Sequence, residues 1–306
     1  MKSNTNMRLG KPSLFKQIAK NYSCYLFMLP FAVVFILFTV VPVITAIGFS
    51  FTDFNVLEKP EWVGWHNYRQ LFTGDDLFLD ALKNTLVIAA IVGPAGYIMS
   101  FVFAWCINDL PPFFRAVLTL MFYAPTLSNI YAIWKIIFSS DDYGIMNSYL
   151  LDWGIIDIPI KWLQDSDFIL PVVVIILLWS SLGTSFLSFI AGLQSVDRTL
   201  YEAAAVDGIH NRFQELWYIT LPSMKPQLMF GAIMSISTSF GVGDAITAVL
   251  GFPSPSYAAH TMAHHIQDYG FTRFQMGYAC AIAVILFVIM VSTNQIIQRM
   301  LKNVGK

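Results

Sequence analysis

Three histidines near the C-terminal third, His260, His264 and His265, are the first side chains whose types and spacing could do chemistry. An i, i+4 pair such as His260 and His264 shares one face of a helix and can hold zinc. No Glu follows as in H-E-x-x-H and no third-ligand constellation accompanies the pair, so packing at the end of an element is the expected role. Cys24, Cys106 and Cys280 are far apart, each inside an apolar stretch, with no C-x-x-C spacing. They are expected to be buried thiols acting as small apolar residues rather than a disulfide framework. There is no G-x-S-x-G, no H-E-x-x-H and no paired intramembrane aspartate, which leaves a membrane enzyme without catalytic groups. There is no G-x-x-x-x-G-K-[ST] either, since Gly10-Lys11 lacks the upstream glycine. The chain is therefore expected to bind no metal and no nucleotide of its own. What remains are hydroxyl groups set in apolar surroundings. They run Trp179-Ser180-Ser181, Gly183-Thr184-Ser185, Ser188, then Ser235, Ser237, Thr238 and Ser239, with Asp244 after Gly241 and Gly243. Such hydroxyls either bond their own or a neighbouring helix or face a polar cavity.

The elements that hold these residues follow from composition. The chain is 56% hydrophobic and only 12% charged, with mean hydropathy +0.61. A soluble domain carries roughly 25% charged residues. Part of the solvent must be lipid. The net charge of -1 says nothing about nucleic acid, no basic block resembles a DNA-binding stripe, and no nucleic-acid partner is expected. A span needs about 20 mostly apolar residues. Six stretches qualify: Lys20 to Asp53, centred on Tyr25–Phe49; Lys83 to Asp109; Ala116–Trp134; Asp167 to Asp197; Lys225 to Asp244; and Arg273 to Arg299. The first begins like a signal peptide. It is about twice the length of a signal h-region and lacks an A-x-A site, so a retained span is expected. The intervening segments 1–20, 108–115, 197–225 and 299–306 hold five, one, three and three Lys or Arg, twelve of the chain's 18, but only five of its 19 acidic residues. The positive-inside bias then places these segments and both termini in the cytoplasm. The expected fold class is all-α: a polytopic membrane protein with six transmembrane helices. Residues 1–23 form a cytoplasmic segment, 24–298 the membrane domain and 299–306 a cytoplasmic tail. Pro30, Pro42, Pro94 and Pro125 fall inside spans, as suits kinked helices around a cavity, although proline is common in membrane helices generally.

One cytoplasmic segment, Ser195–Gln227, stands apart. Thr199 and Glu202 form a capping-box pattern that predicts a helix from near Leu200. Glu202, Ala203, Ala204 and Ala205 favour helix, and Gly208 is placed to end it with a left-handed turn. A second amphipathic helix is predicted near Asn211–Ile219, ending near Pro222. Alanines permit close approach of a partner, while Glu202, Asp207 and Arg212 offer charged contacts at the rim. Periodicity alone is equally met by an amphipathic helix lying in the membrane interface.

Glu202-Ala203-Ala204, Gly208 and Ile219-Thr220-Leu221-Pro222 reproduce the E-A-A-x-x-x-G and I-x-L-P signature of binding-protein-dependent ABC permeases. Asp207-Gly208 and Phe213 resemble the carbohydrate-importer branch, of the maltose and glycerol-3-phosphate type. Leu29–Asn55, Val63-Gly64, Asn67-Tyr68, Asn84-Thr85 and Phe274–Ala281 extend the resemblance along nearly the whole chain. The resemblance implies a permease subunit in the bacterial cytoplasmic (inner) membrane. It implies a coupling helix at about 199–212, with Glu202, Ala203, Ala204, Asp207, Gly208, Arg212 and Pro222 carrying the contact to an ATPase. Implied partners are a second homologous permease, a dimer of ATPase subunits that uses ATP and Mg, an extracytoplasmic solute-binding protein and a sugar. Family offsets point to Ser180, Ser181, Met234, Ser237 and Thr238 as sugar contacts, with Tyr123 and Asn129 as further candidates. A membrane receptor or scaffold subunit without a transport role would explain the spans but not the coupling segment.

Overall fold

A computed structural model describes residues 21–128 and 131–302. It is helical throughout apart from one two-stranded ribbon. Helix α1 is Tyr22–Phe49, with a wide π-turn at Ile36–Val40 just before Pro42. The wider turn fits a residue that cannot donate to the helical ladder. Strands β1 (Thr52–Asp53) and β2 (Glu61–Trp62) pair antiparallel, Thr52 opposite Trp62. Short helix α2 (His66–Thr73) leads into the 33-residue α3 (Asp76–Asn108). Then come α4 (Pro112–Ser128), α5 (Tyr131–Ile137), α6 (Ile145–Asp152), α7 (Ser166–Ser180) and α8 (Thr184–Ser195). The surface pair is α9 (Arg198–Val206) and α10 (Arg212–Glu215), continued through a π-turn at Leu216–Thr220 and Leu221–Ser223. The chain closes with α11 (Lys225–Phe240), α12 (Gly243–Leu250), α13 (Met262–Gln267) and α14 (Met276–Lys302).

Among the described residues, four helical stretches are long and apolar enough to cross a membrane: Tyr22–Phe49, Asp76–Asn108, Ser166–Ser195 and Met276–Leu301. A fifth arises if α11 and α12, bent by 46° at Gly241-Val242, count as one. The predicted third span, Ala116–Trp134, includes residues outside the described ones, and its apolar helix Pro112–Ala124 is shorter than the others. The predicted fourth is broken at Ser181–Gly183 between α7 and α8.

The bundle is built around α3. At about 1.5 Å per residue its 33 residues reach ~50 Å, well beyond a ~30 Å hydrocarbon layer. Asp75 caps its start by accepting from the Phe78 N–H at 3.0 Å. Glycines let other helices press close. A Cβ on Gly96 would lie 2.6 Å from Ser181 Oγ, and one on Gly231 would collide with the ring of Phe189. Phe186, Phe189, Ala104, Met224 and Leu228 form the core at the α9 end. Ile88, Val92, Ile169, Val173 and Ile246 form it further along. Helix α1 is the exception, since none of its most apolar stretch is buried. Its C-terminal half touches α14. Cys24 and Cys106 are exposed on the chain surface and Cys280 is partly buried, so the expectation of three buried thiols is corrected: two of them sit on outward faces of spans.

Candidate pathway site and surface handle

The hydroxyl residues meet at the two helix breaks. Ser180 and Ser181 end α7, Thr184 and Ser185 begin α8, and Thr238 and Ser239 end α11. Together with Met234, Ser235, Tyr131, Leu177 and Asp244 they line a cavity of about 250 Å³. Two broken helices face each other there, as unwound backbone does when it borders a cavity rather than lipid. Ser180, Ser181, Met234 and Thr238 are thus brought together. Ser237 points to the exposed side of α11 and does not line the cavity. Tyr123 lies in a separate shallow groove with Arg115, Thr119, Leu120 and Gln194. Asn129 lies outside the described residues. Thr184, Ser185 and Ser239 also line the cavity, with membership of the same polar runs as their only sequence signal, and Tyr131 lines it with no such signal.

The hydroxyl protons are largely spent inside the protein. Ser180 Oγ donates to Ile176 O at 3.0 Å, Ser181 Oγ to Leu178 O at 2.6 Å, and Thr238 Oγ1 to Met234 O at 3.0 Å. Ser239 Oγ donates to Ile236 O at 2.8 Å. Ser185 Oγ crosses from α8 to Gly231 O on α11 at 3.0 Å.

At the α9 end, Asp197 rather than Thr199 caps the helix, its carboxylate accepting from the Thr199 N–H at 3.0 Å. That moves the start two residues earlier than the capping-box pattern predicts. These hydrogen bonds bring the Asp197 carboxyl below its usual pKa. Gly208 carries φ +91°. Ile209 N–H donates to Ala204 O at 2.9 Å and Gly208 N–H to Ala205 O at 3.3 Å, a Schellman stop. Asn211 caps α10 through the Phe213 N–H. Pro222 does not end α10. The π-turn at Leu216–Thr220 precedes it, and helix continues on both sides. Ala204 packs inward, while Glu202, Ala203, Asp207, Gly208, Arg212 and Pro222 are exposed. The pair is braced to the bundle. Tyr201 Oη lies 2.9 Å from Thr220 Oγ1, and Arg212 pairs with Asp109 at the end of α3. The brace through Tyr201 and Asp109 was not anticipated from the motif. Leu200, Val206, Phe213, Trp217 and Tyr218 leave large apolar surfaces uncovered on this handle.

The opposite end carries a buried polar cluster. Asp75 Oδ2 accepts from His265 Nε2 at 3.0 Å, Tyr269 Oη at 3.1 Å and Tyr278 Oη at 2.9 Å. Since His265 Nε2 donates, its Nδ1 accepts from His260 Nε2 at 3.1 Å. His264 Nδ1 accepts from the Thr261 N–H, so its Nε2 donates to Gly243 O at 3.0 Å and reaches Thr247 Oγ1. Each imidazole is neutral and committed to hydrogen bonds. Burial lowers all three pKa values, that of His260 to about 3. Burial alone would raise Asp75, but the bonds from Phe78, Tyr278 and His265 outweigh it and leave its pKa below the usual value. Asn84 Nδ2 donates to Ala258 O and His260 O, and Thr85 Oγ1 accepts from the Met262 N–H. Asn67 Nδ2 donates to Ser50 O and Thr52 O, both at 3.0 Å, which ties α2 to the end of α1.

An apolar helical bundle with a hydroxyl-lined break at its middle and a rigid exposed handle at one end defines a membrane transport subunit. The chain belongs to the binding-protein-dependent transport system inner membrane components, whose family model matches residues 7–304. It is thus an ABC-type permease of the sugar-transporting group, an inner-membrane component and not itself an enzyme. The probable ABC transporter permease protein YesP of Bacillus subtilis is 31% identical, covering 88% of this chain and 87% of that protein. The lactose transport system permease LacF of Rhizobium radiobacter is 27% identical over 90% of this chain and 92% of its own length. The arabinooligosaccharides permease AraP of Bacillus subtilis is 29% identical, covering 91% and 88%. A crystal structure of a bacterial ABC transporter that imports the acidic polysaccharide alginate matches in fold. Its TM-score is 0.75 at 23% identity, over 96% of this chain and 99% of that one.

Proposed function

We propose that this chain forms half of a sugar pathway and that α9 is the coupling helix that seats in a separate ATPase subunit. The observation that carries this is the handle itself. It is a helix with a sharp glycine stop, exposed Glu202, Ala203 and Asp207, and uncovered apolar surface beside them. The braces through Tyr201–Thr220 and Arg212–Asp109 transmit any push on it to α3, α10 and α11. A scaffold with no transport role has no use for such a linkage. In this reading α4 with α5 is the third of six spans and α11 with α12 the fifth. Both termini and the handle lie in the cytoplasm, as the charge asymmetry supports. A second permease supplies the other half, and a solute-binding protein delivers sugar at the outer face, where α2, α6 and α13 lie. The alginate transporter solved with a pentasaccharide-bound periplasmic protein supports that arrangement by analogy of fold. Sugar passes the cavity lined by Ser180, Ser181, Met234 and Thr238. ATP binding by the partner ATPase draws the handles together and opens the cavity outward; hydrolysis resets it. Glu202→Lys and Gly208→Pro should abolish copurification of the ATPase and stop uptake in proteoliposomes while the chain still inserts. Normal uptake in both variants would remove the assignment.

A further inference from the structure

Among the described residues, the side chains that line the cavity between the two helix breaks present mainly hydrogen-bond acceptors. Ser180, Ser181, Ser185, Thr238 and Ser239 each give their single hydroxyl proton to a backbone carbonyl. A hydroxyl so engaged offers a ligand lone pairs only. Asp244 adds two carboxylate oxygens, acceptors without a proton, and it is the one charged residue among the described lining residues. Among the described residues no Lys, Arg or His lines the space. Ser235, whose Oγ lies 3.3 Å from Ser185 Oγ, Thr184 and Tyr131 are the remaining described hydroxyls there.

Asp244 is also held in place. It sits in the first turn of α12, straight after the 46° bend. The preceding residue, Gly243, receives the His264 Nε2 hydrogen bond on its carbonyl, and its missing Cβ would come within 3.0 Å of Ala263 Cβ. A side chain at position 243 would push α12 off α13 and move Asp244 out of register with Ser180 and Ser181. His264 is in this sense a positioning residue for the carboxylate.

We infer that Asp244 and the proton-spent hydroxyls make this half of the pathway selective for donor-rich, uncharged or amino sugars and against uronates. The inference rests on the sugar-pathway reading above and adds the class of sugar. A neutral sugar brings many O–H donors, two of which fit one carboxylate. An amino sugar brings an ammonium as well. A uronate brings a second carboxylate, which finds few side-chain donors among the described lining residues and meets the like charge of Asp244.

The test uses the purified complex of both permeases and the ATPase, without its binding protein, so that selectivity belongs to the membrane pathway. Trisaccharides based on glucose, glucosamine and glucuronate are titrated against intrinsic tryptophan fluorescence, Trp179 lying beside Ser180. The expected order is glucosamine, then glucose, then glucuronate, with at least a tenfold gap between the last two. Asp244→Asn should bring the glucosamine and glucuronate affinities toward that for glucose. Asp244→Lys should place glucuronate above glucosamine. Retention of the partner subunits on size exclusion shows that the variants are folded. Glucuronate bound by the parent as tightly as glucose, or an order unmoved by either variant, would overturn the inference and leave the sugar reading standing. Absence of binding for all three, with no sugar movement in proteoliposomes, would overturn the sugar reading itself and the inference with it.

Discussion

Mild acid should open the end of the molecule that carries α13, and the size of the effect follows from how the three histidines are bonded. His260, His264 and His265 are all neutral in the fold, with His265 Nδ1 and His264 Nδ1 serving as acceptors. Their folded pKa values are depressed by burial, whereas in the opened segment they return to about 6.5. Below pH 6.5 the opened state therefore binds more protons than the closed one, so stability falls as pH falls. At pH 5.5 His260, whose folded pKa is about 3, contributes about 1.4 kcal/mol to this loss, roughly tenfold in the opening equilibrium, and His264 and His265 add to it in the same direction. Asp75 adds nothing in this window. Its folded pKa lies below 3.8, so the stability it lends is lost only in stronger acid. The other charges facing the cluster are Arg273, stacked 4.3 Å over the Tyr269 ring and paired with Asp268, and Asp244 near His264. The assay is hydrogen exchange of residues 258–272 at pH 7.5 and 5.5, corrected for the intrinsic pH dependence of exchange. His260→Gln keeps a donor for His265 Nδ1 and removes one titrating group, so it should shrink the acceleration about tenfold. Protection that does not change between the two pH values, or the same acceleration in His260→Gln, would refute the reasoning.

Asn67→Ala leaves the buried carbonyls of Ser50 and Thr52 without their donor and should cost about 1–3 kcal/mol. A lowered thermal midpoint, with protease sensitivity appearing first between α1 and α2, is the readout. Gly231→Val drives a side chain into the Phe189 ring, and relaxation of the α8–α11 contact should cost about 1–3 kcal/mol. The paired change Gly231→Val with Phe189→Leu should recover most of the loss of folded protein in detergent, and no recovery would mean that the contact is not the cause.

Local chemistry was legible where it acts over a few residues. Gly208 could be read as a helix stop because only a residue tolerant of positive φ fits a Schellman turn after four helix-favouring residues. The helix start slipped by two residues because Asp197 competes with Thr199 for the same role, and the carboxylate wins it. The bend after α11 was half visible in Gly241 and Gly243. Asp244 reads in the sequence as the end of the fifth span and a candidate to face the pathway, and the fold sets it in the first turn of α12, lining the cavity. Long-range pairing was not legible at all. Asp75 meets His265, Tyr269 and Tyr278 across 190, 194 and 203 residues of sequence. No periodicity carries such information. Asn67, Asn84 and Gly277 fall in segments that resemble the family, but only the fold shows their work. Two are side-chain ties between elements, and Gly277 is a gap through which α14 passes the Thr52 carbonyl.

The bare flank of α1 has a consequence for how the protein is made. This helix leaves the ribosome before every other described element, yet within the chain it is held mainly by its C-terminal half, which packs on α14, and by two ties just beyond it, Asn67 on the Ser50 carbonyl and the Gly277 N–H on the Phe54 carbonyl. Gly277 belongs to α14, the final helix in chain order. The main contacts of α1 within the chain therefore form only once α14 has been synthesised. Biogenesis factors that chaperone lone transmembrane segments have their longest task here.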